Sequence, residues 1–588
     1  MKSFFKYVLA TMLGIILASI LMFFISIGVI SAIVSSQDKP VEIKEKTVLH
    51  MELNKVITDR SNKNPFSDFN FNTFQPIVQM GLDDIIKNLE KAKNDPNIEG
   101  IYLDLTVIPT GIATIEEIRN ALLDFKESGK FIISYSDNYT QPSYYIATVA
   151  DKVYMNPEGL LMHVGLRSEI MFFKEALEKL GIEPQIIRHG KFKSAVEPFM
   201  YKQMSEENRK QVMTYLGSIW DHMLSGISKE RNISIKKLND LADNLSLKNA
   251  PLAVENGLID ELKYKDEILA ELAELTDKED SKDIEHINLA KYTKVPDSNR
   301  KKLEKNKIAV VYASGSVIMG EGEEGTIGSD RISRAIRKAR KDSTIKAIVF
   351  RVNSGGGSAL ASEVIWREVK LAQEVKPVIA SLGDVAASGG YYIVAPAQKI
   401  IASPNTITGS IGVFGLLANG KEMLNDKLGI YVDVVKTNKY SDMGSFTRRL
   451  TAQERETIKF GIEEIYDTFI SHVAEGRGMT KEEVDEIGQG RVWSGANAIE
   501  IGLIDGFGGL NDAIAMAAEA AEVESYRTVG YPELKDPFEQ IMQELQGNVR
   551  VSILKNELGN EYKYYEAIQN LTKLDGIQAR IPYRVEIY

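Results

Sequence analysis

The chain has 588 residues, which predicts more than one domain, and 44% of its residues are hydrophobic, enough for large cores. It contains no cysteine, so disulfides, thiolate metal sites and cysteine catalysis are excluded. A formal net charge of −11 argues against nucleic acid as a partner.

The N-terminus carries a long uncharged stretch, residues 7–37, directly after Lys2 and Lys6. A transmembrane helix needs about 20 apolar residues, whereas the core of a cleavable signal has roughly 7–15. The stretch therefore predicts an uncleaved anchor, and a buried core helix is the alternative. Because the lysines precede it, we expect the N-terminus in the cytoplasm and the rest of the chain on the extracytoplasmic side of the inner membrane.

An internal repeat follows. Residues 83–105 match residues 330–352 at an offset of 247, and residues 134–159 match 381–406 at the same offset. Two later pairs keep the order: 180–187 with 428–435, and 252–262 with 496–507. Each copy alternates apolar β-type runs with amphipathic helices, which is typical of an α/β domain.

The repeat defines the predicted domain organisation, with a charged linker between the copies and a plausible helix in the tail. The predicted boundaries are 1–37 for the anchor, 46–276 for the first copy, 277–306 for the linker, 307–525 for the second copy and 526–588 for the tail.

In the first copy, the segment GKFKSAVEPF (190–199) holds two lysines. Lys191 aligns with Lys439 of the second copy, whereas Lys193 aligns with Ser441. On spacing alone Lys193 reads as an ordinary surface lysine.

In the second copy, Ser388 lies in the small-residue run GDVAASGGYY (383–392), and it aligns with Gln141 of the first copy. A triple glycine, Gly355 to Gly357, stands where the first copy has Ile-Pro-Thr. These features allow either close packing and a flexible turn, or an exposed nucleophile with backbone amides that bind an oxyanion. Six histidines occur and none lies in a triad motif, so such a serine needs another base, and lysine can serve as one.

Four segments together carry a family resemblance: RVNSGGGSALASEV, GDVAASGGYY, TGSIGVFG (408–415) and GKFKSAVEPF. Here the chain resembles the signal peptide peptidase A family in its long, two-repeat, membrane-anchored form, which is related to the ClpP/crotonase superfamily. The resemblance implies a tandem duplication of an α/β domain built as a superhelix of ββα units, preceded by one transmembrane helix.

The same resemblance implies a serine endopeptidase with a Ser-Lys dyad. Ser388 would be the nucleophile, Lys193 the general base, and Ser410 a hydroxyl that orients the amine. The oxyanion would be bound by the amide of Gly356 or Gly357 together with that of Gly389. Many relatives have Ser-Pro-Gly-Gly where this chain has Ser354 followed by three glycines, which leaves the choice of donor open.

The implied substrates are remnant signal peptides and other apolar peptides in or near the lipid bilayer. The implied assembly is a homotetramer, and no metal or organic cofactor is expected. Two other classes remain open at this point: a crotonase-like acyl-CoA enzyme, and a membrane scaffold that binds peptides without cutting them.

Overall fold

The computed structural model describes residues 41–61, 79–297, 304–323, 325–534 and 577–580, parts of a helix within 4–22, and the backbone of the short strands Phe69–Asn70 and Gln75–Pro76. Among these residues, no helix is both long and apolar enough to cross a bilayer. Of the predicted anchor, residues 1–3, 5, 8, 9, 20 and 23–37 lie outside the described residues.

The first copy builds a parallel six-stranded sheet. In spatial order its strands are Glu261–Leu262, Lys152–Met155, Phe131–Ser136, Ile98–Asp104, Thr47–Met51 and His286–Asn288. The last of these lies within the predicted linker, so the first sheet extends beyond the boundary expected from the repeat.

The second copy builds the corresponding sheet. Its main path runs Val492–Ser494, Ile407–Gly409, Val378–Ala387, Ile345–Ser354, Lys307–Ser314 and Arg527–Tyr531, and Lys399–Ala402 and Gly506–Phe507 branch from it. Three of its strands begin 247 residues after their first-copy counterparts, at Ile345, Val378 and Lys399. The predicted duplication of an α/β domain is confirmed by this shared strand spacing.

Helices cover both sheets. In the first copy they are Leu82–Asn94, Ile112–Lys126, Gln141–Ala147, Lys174–Lys179, Glu197–Met200, Glu206–Arg231, Ile235–Asp243, Ala250–Glu255, Lys265–Leu275 and Leu289–Tyr292. In the second copy they are Ser329–Lys341, Ala359–Gln373, Gly389–Val394, Ala452–Arg477, Lys481–Ile487, Gly495–Glu500 and Leu510–Ala520.

The matched helices form for the same local reason in both copies. Ser329–Lys341 buries Ile332, Ile336 and Ala339 at helical spacing, while most of its basic residues are exposed. The two 26-residue helices each begin at a capping hydroxyl, Ser205 or Thr451, which accepts a hydrogen bond from the backbone three residues on.

A third sheet joins the two copies. Its strands in order are Thr326–Gly328, Ser316–Ile318, Gly356–Ser358, Ile577–Arg580, Phe414–Asn419 and Glu183–Arg188. The last strand belongs to the first copy and pairs antiparallel with Phe414–Asn419 of the second. This pairing holds the end of a first-copy strand against the second copy. Because Lys193 follows five residues after Arg188, the pairing also brings Lys193 close to the predicted active site.

Candidate active site

The structure brings Lys193 and Ser388 together although 195 residues separate them. The Nζ of Lys193 lies 2.8 Å from the Oγ of Ser388, and the two copies of one chain supply one residue each. Both side chains are buried, with 1% and 0% of their surface exposed. The contact has the length of a hydrogen bond through which a proton can pass from the hydroxyl to the amine.

Ser388 stands at a sharp corner between the strand Val378–Ala387 and the helix Gly389–Val394. Its backbone angles, φ +56° and ψ −118°, are unusual for a residue with a side chain. The corner is held by hydrogen bonds from the Ser388 amide to Gly409 O and from the Tyr392 amide to Ser388 O, both 2.8 Å. Such strain costs about 1–3 kcal/mol and is typical of functional sites.

Lys193 is almost fully buried. Burial lowers the pKa of its amine to about 7, because it disfavours the charged form. Besides Ser388, the amine donates to Ser410 Oγ at 3.1 Å and to Ser410 O at 3.2 Å. These acceptors orient the amine without adding a negative charge that would hold it protonated.

Two glycines make room for the lysine. A Cβ added to Gly490 would lie 2.6 Å from the Cα and Cβ of Lys193, and Gly490 has a φ of +82°. A Cβ on Gly412 would lie 3.3 Å from Lys193 Cδ. The second copy therefore approaches the lysine backbone closely only because these positions lack side chains.

Neighbouring polar residues hold the lysine loop in place. Arg188 donates to the backbone oxygen of Lys193 at 3.0 Å. Gln211 donates to Ser194 Oγ at 2.9 Å and accepts from the amide of Val492 in the second copy at 3.0 Å. Gln211 thus links the lysine loop to the copy that carries the serine.

The glycine loop lies beside the serine corner. Gly356 has a φ of +92°, and a Cβ there would lie 2.6 Å from the Gly389 nitrogen. The Gly356 amide donates to Ser354 Oγ at 3.1 Å. A Cβ on Gly389 would lie 3.1 Å from the Gly357 nitrogen, so the amides of Gly357 and Gly389 are close neighbours. Gly389 begins its helix, where an N–H has no partner within the helix.

The first copy has no equivalent pair. Gln141, the counterpart of Ser388, is buried and its side chain is bonded to the loop at Val164 and Gly165. Ser441, the counterpart of Lys193, is exposed, as is Lys191. Within the part of the chain that the structure describes, these two first-copy and second-copy counterparts therefore do not repeat the Lys193–Ser388 contact.

Three residues of the site were not found from the sequence: Arg188, Gln211 and Gly490. None lies in a motif. Gly490 could have been noticed as a glycine just before the second-copy strand Val492–Ser494, but the sequence carries no signal that it faces Lys193.

Comparison with known proteins assigns the class of protein. The family model for Peptidase family S49 matches residues 124–279 and 370–524, one match in each copy. Most of the chain aligns with two bacterial proteins called Protease 4. That of Haemophilus influenzae is 37% identical over 74% of this chain and 72% of its own length. That of Salmonella typhi is 35% identical over 81% and 78%.

A plant relative extends the comparison. The chloroplastic serine protease SPPA of Arabidopsis thaliana is 33% identical over 85% of this chain and 74% of its own length. The chain belongs to peptidase family S49. It is a serine protease, rather than an acyl-CoA enzyme or a non-catalytic scaffold.

Among solved structures, a membrane-bound stomatin-specific protease, 1510-N, is similar over 40% of this chain and all of its own, at 16% identity and a TM-score of 0.26. A ClpP1 mutant from Listeria monocytogenes is similar over 35% of this chain at 16% identity and a TM-score of 0.24. The family assignment therefore rests on the sequence matches.

Proposed function

We propose that the protein is a Ser-Lys endopeptidase in which Ser388 is the nucleophile and Lys193 the general base. The observation that carries the proposal is the 2.8 Å contact between Lys193 Nζ and Ser388 Oγ in a buried pocket. A lysine acts as a base only when neutral, and burial brings the pKa of this amine to about 7.

The reaction follows from these positions. Lys193 takes the Ser388 hydroxyl proton as Oγ attacks the peptide carbonyl, and the ammonium then protonates the leaving amine. Water enters, Lys193 removes its proton, and the acyl-enzyme is hydrolysed.

The oxyanion would be bound by the amides of Gly357 and Gly389. Gly356 is the less suitable of the two loop candidates, because its amide already donates to Ser354 Oγ. Ser410 would orient the amine. No metal or organic cofactor takes part.

The substrate class is proposed to be extended apolar peptide. Its binding site would be the peptide slot, which we define as the gap between the strands Gly356–Ser358 and Phe414–Asn419. Both strands turn an edge toward this gap and pair antiparallel with the short strand that fills it. Such a slot binds backbone by strand addition and accepts many side-chain sequences.

Remnant signal peptides fit this substrate class if the protein is anchored in the inner membrane by residues 7–37, with its proteolytic part outside the cytoplasm. Extraction of membranes with alkaline carbonate tests the anchor. The full chain is expected to stay with the membrane, and a chain lacking residues 1–37 is expected to be released.

The test of the proposed function is covalent labelling combined with peptide hydrolysis. A fluorophosphonate probe is expected to label the wild type at Ser388 and to leave Ser388→Ala unlabelled, and only the wild type should cut an unstructured apolar peptide. Ser333→Ala is the matched control, because Ser333 is a buried serine on the helix Ser329–Lys341 that donates to Val364 O and is expected to be dispensable for labelling. Labelling that persists in Ser388→Ala would contradict the proposal.

The pH dependence of catalysis is a second prediction. Because burial lowers the pKa of Lys193 to about 7, the neutral base predominates above that pH and the charged, inactive form below it. We expect kcat/KM for a peptide without titratable groups to fall about tenfold per pH unit below about 7. His189 lies four residues upstream of Lys193, so His189→Asn is the control and should keep the same fall in rate below about pH 7. A flat profile between pH 5 and 8 would contradict the assignment.

We also propose a homotetramer, supported by an unpaired segment of the second copy. Residues 431–436 are the repeat counterpart of the strand that pairs with Phe414–Asn419, yet they form no strand, and Tyr431 and Val435 are 78% and 98% exposed. The counterpart of Phe414–Asn419 is residues 167–172, also outside any strand. Pairing of 431–436 with 167–172 of a second copy repeats the contact within the chain, and such head-to-tail contacts form a ring where the rotation between copies closes.

This interface predicts a change of mass. The double variant Tyr431→Asp and Val435→Asp is expected to lose the tetramer, as measured by light scattering of the detergent-solubilised protein. Val375→Asp, at a residue 61% exposed on another face, should leave the mass unchanged. A tetramer that survives the double variant would refute this interface.

A further inference from the structure

An arginine held by two aromatic rings lies beside the loop that carries Lys193. Arg491 belongs to the second copy and directly precedes the strand Val492–Ser494. Its Cζ lies 5.2 Å from the ring centroid of Phe192 and 3.9 Å from that of Trp493. Among the described residues, its buried Nε has no hydrogen-bond partner, and burial lowers the pKa of the guanidinium with no carboxylate to offset the effect. The rings therefore stand where a carboxylate usually holds a partly buried arginine.

The backbone of Arg491 contacts the residue that orients the amine of Lys193. Its carbonyl oxygen accepts a hydrogen bond of 2.6 Å from the amide of Ser410. Ser410 has a φ of +50°, a conformation that a residue with a side chain keeps only where its surroundings hold it. Both oxygens of Ser410 accept hydrogen bonds from Lys193. Arg491 thus supports, through its carbonyl, the acceptors of the lysine.

The side chain of Arg491 contacts the lysine loop from the other side of the seam between the copies. Phe192 immediately precedes Lys193 and is only partly buried. Its amide donates to Gln489 O at 3.1 Å, and its carbonyl accepts from Gln211 at 3.2 Å. A cation over an aromatic face is attracted to the ring. The guanidinium therefore holds the first-copy loop against the second copy.

Holding the arginine by rings rather than by a carboxylate has a chemical consequence. A carboxylate beside Arg491 would bring a negative charge toward Lys193, and a nearby negative charge favours the protonated amine. Phe192 and Trp493 hold the guanidinium without such a charge. Burial is the cause that lowers the pKa of Lys193, and the rings leave this effect intact. The contact fixes the loop and still allows the amine to be neutral.

The internal repeat shows that the fold does not require this arginine. The helix Gly495–Glu500 follows the helix Ala250–Glu255 at an offset of 245. At that offset Ser246 stands in place of Arg491, and a lysine stands in place of Trp493. The arginine and the tryptophan are therefore found in the copy that carries the serine and meets the lysine loop.

We propose that Arg491 is a positioning residue of the protease: its guanidinium holds the Phe192 ring and its carbonyl holds Ser410, so that Lys193 stays buried and directed at Ser388. The proposal rests on the function proposed above, in which Lys193 is the base. Arg491 itself takes no proton and touches no reacting atom. When the contact is lost, the loop admits water, the amine is less desolvated, and its pKa rises toward the ordinary value for lysine.

The experiment measures kcat and KM of Arg491→Met between pH 6 and pH 10. We expect KM within about twofold of wild type and kcat at pH 7 lowered about 10–100-fold, since a small displacement of a reacting group can cost about 10²-fold in rate. The fall in kcat at low pH, which we call the acid limb, should move to higher pH, so the loss is smaller at pH 9 than at pH 7. No loss, or an equal loss at every pH as a merely structural role would give, would overturn the proposal.

Variants of the ring test the contact itself, and they decide the question even where Arg491→Met does not fold. Phe192→Leu is expected to move the acid limb in the same direction, whereas Phe192→Tyr keeps the aromatic face and should behave like the wild type. The double variant Phe192→Leu and Arg491→Met should be no slower than the slower single variant, because both remove one contact. Losses that multiply in the double variant would contradict the proposal.

A matched control is a second cation that lies over an aromatic ring of the same copy. The Nζ of Lys338 lies 5.9 Å from the ring centroid of Tyr531. Lys338→Met is expected to leave the acid limb and kcat unchanged. A shifted limb in this variant would show that the shift does not report on the Arg491 contact, and it would overturn the proposal.

The failure of this inference and the failure of the proposed function are distinguishable. If Lys193→Met abolishes peptide hydrolysis but Arg491→Met keeps the acid limb of the wild type, positioning by Arg491 is refuted and the proposed function stands. If Lys193→Met retains hydrolysis, the proposed function is refuted and the inference falls with it.

Discussion

Replacement of Lys193 by methionine is expected to lower kcat for peptide hydrolysis by at least about 10⁴-fold, the loss typical of removing a catalytic group from such a unit. Methionine is an uncharged side chain of similar length, but it cannot take the proton of Ser388. Lys191→Met is the matched control, because Lys191 is an exposed lysine two residues away in the same loop. Initial rates with an unstructured apolar peptide measure both variants, and more than a tenth of wild-type activity in Lys193→Met would exclude Lys193 as the base.

The same variant has a predictable effect on stability. The unfolded chain holds a proton on this lysine up to about pH 10.5, whereas the folded chain loses it above about 7. The free energy of unfolding of the wild type should therefore rise with pH between those values through this group. Lys193→Met removes the cost of burying the amine, so near pH 7 it is expected to unfold at a higher urea concentration than the wild type.

Replacement of Arg351 by methionine is expected to destabilise the protein by roughly 3–5 kcal/mol, because it leaves two buried carboxylates without their cation. Arg351 is fully buried in the second copy and donates to Asp59 at 2.7 Å and Glu117 at 2.6 Å in the first. Burial alone would lower the pKa of Arg351, but the two carboxylates raise it above its ordinary value.

Urea denaturation measures this effect. Arg334→Met is the control, since Arg334 and its partner Glu321 are both 60% exposed and such a pair contributes little. Arg351→Met should also weaken catalysis, because Arg351 lies on the strand that leads into the glycine loop and joins the copies that supply the serine and the lysine. Unchanged urea midpoints in Arg351→Met would show that the copies are held together by other contacts.

Much of the fold could be read from the sequence because its signals are local or repeated. The apolar spacing of residues 330–341 predicts the helix that the structure contains, and the matching segment 83–94 predicts its twin. The limits of the two copies were harder to predict from the sequence. The strand His286–Asn288 lies in a charged segment read as a linker, and its pairing with Thr47–Met51 depends on packing across more than 230 residues.

The residues of the candidate site likewise fall into two groups, those that the sequence reveals and those that only the structure reveals. Ser388 and the glycine loop stood out because the first copy lacks them, and Lys193 because the second copy lacks it. Gln211 and Gly490 have no such signal. Their roles arise only when the two copies meet. Gln211 then links the lysine loop to Val492, and Gly490 leaves space for the Lys193 backbone.

By itself the sequence determined that this protein is a duplicated α/β domain with a candidate nucleophile in one copy and a candidate base in the other. Duplication and amphipathic spacing depend only on the order of residues along the chain, so the sequence shows both directly. Only the tertiary structure decided that Lys193 lies 2.8 Å from Ser388, and that Ile577–Arg580 lies in the peptide slot. Both depend on packing between distant segments, and the desolvation that lowers the pKa of Lys193 exists only once that packing has excluded water.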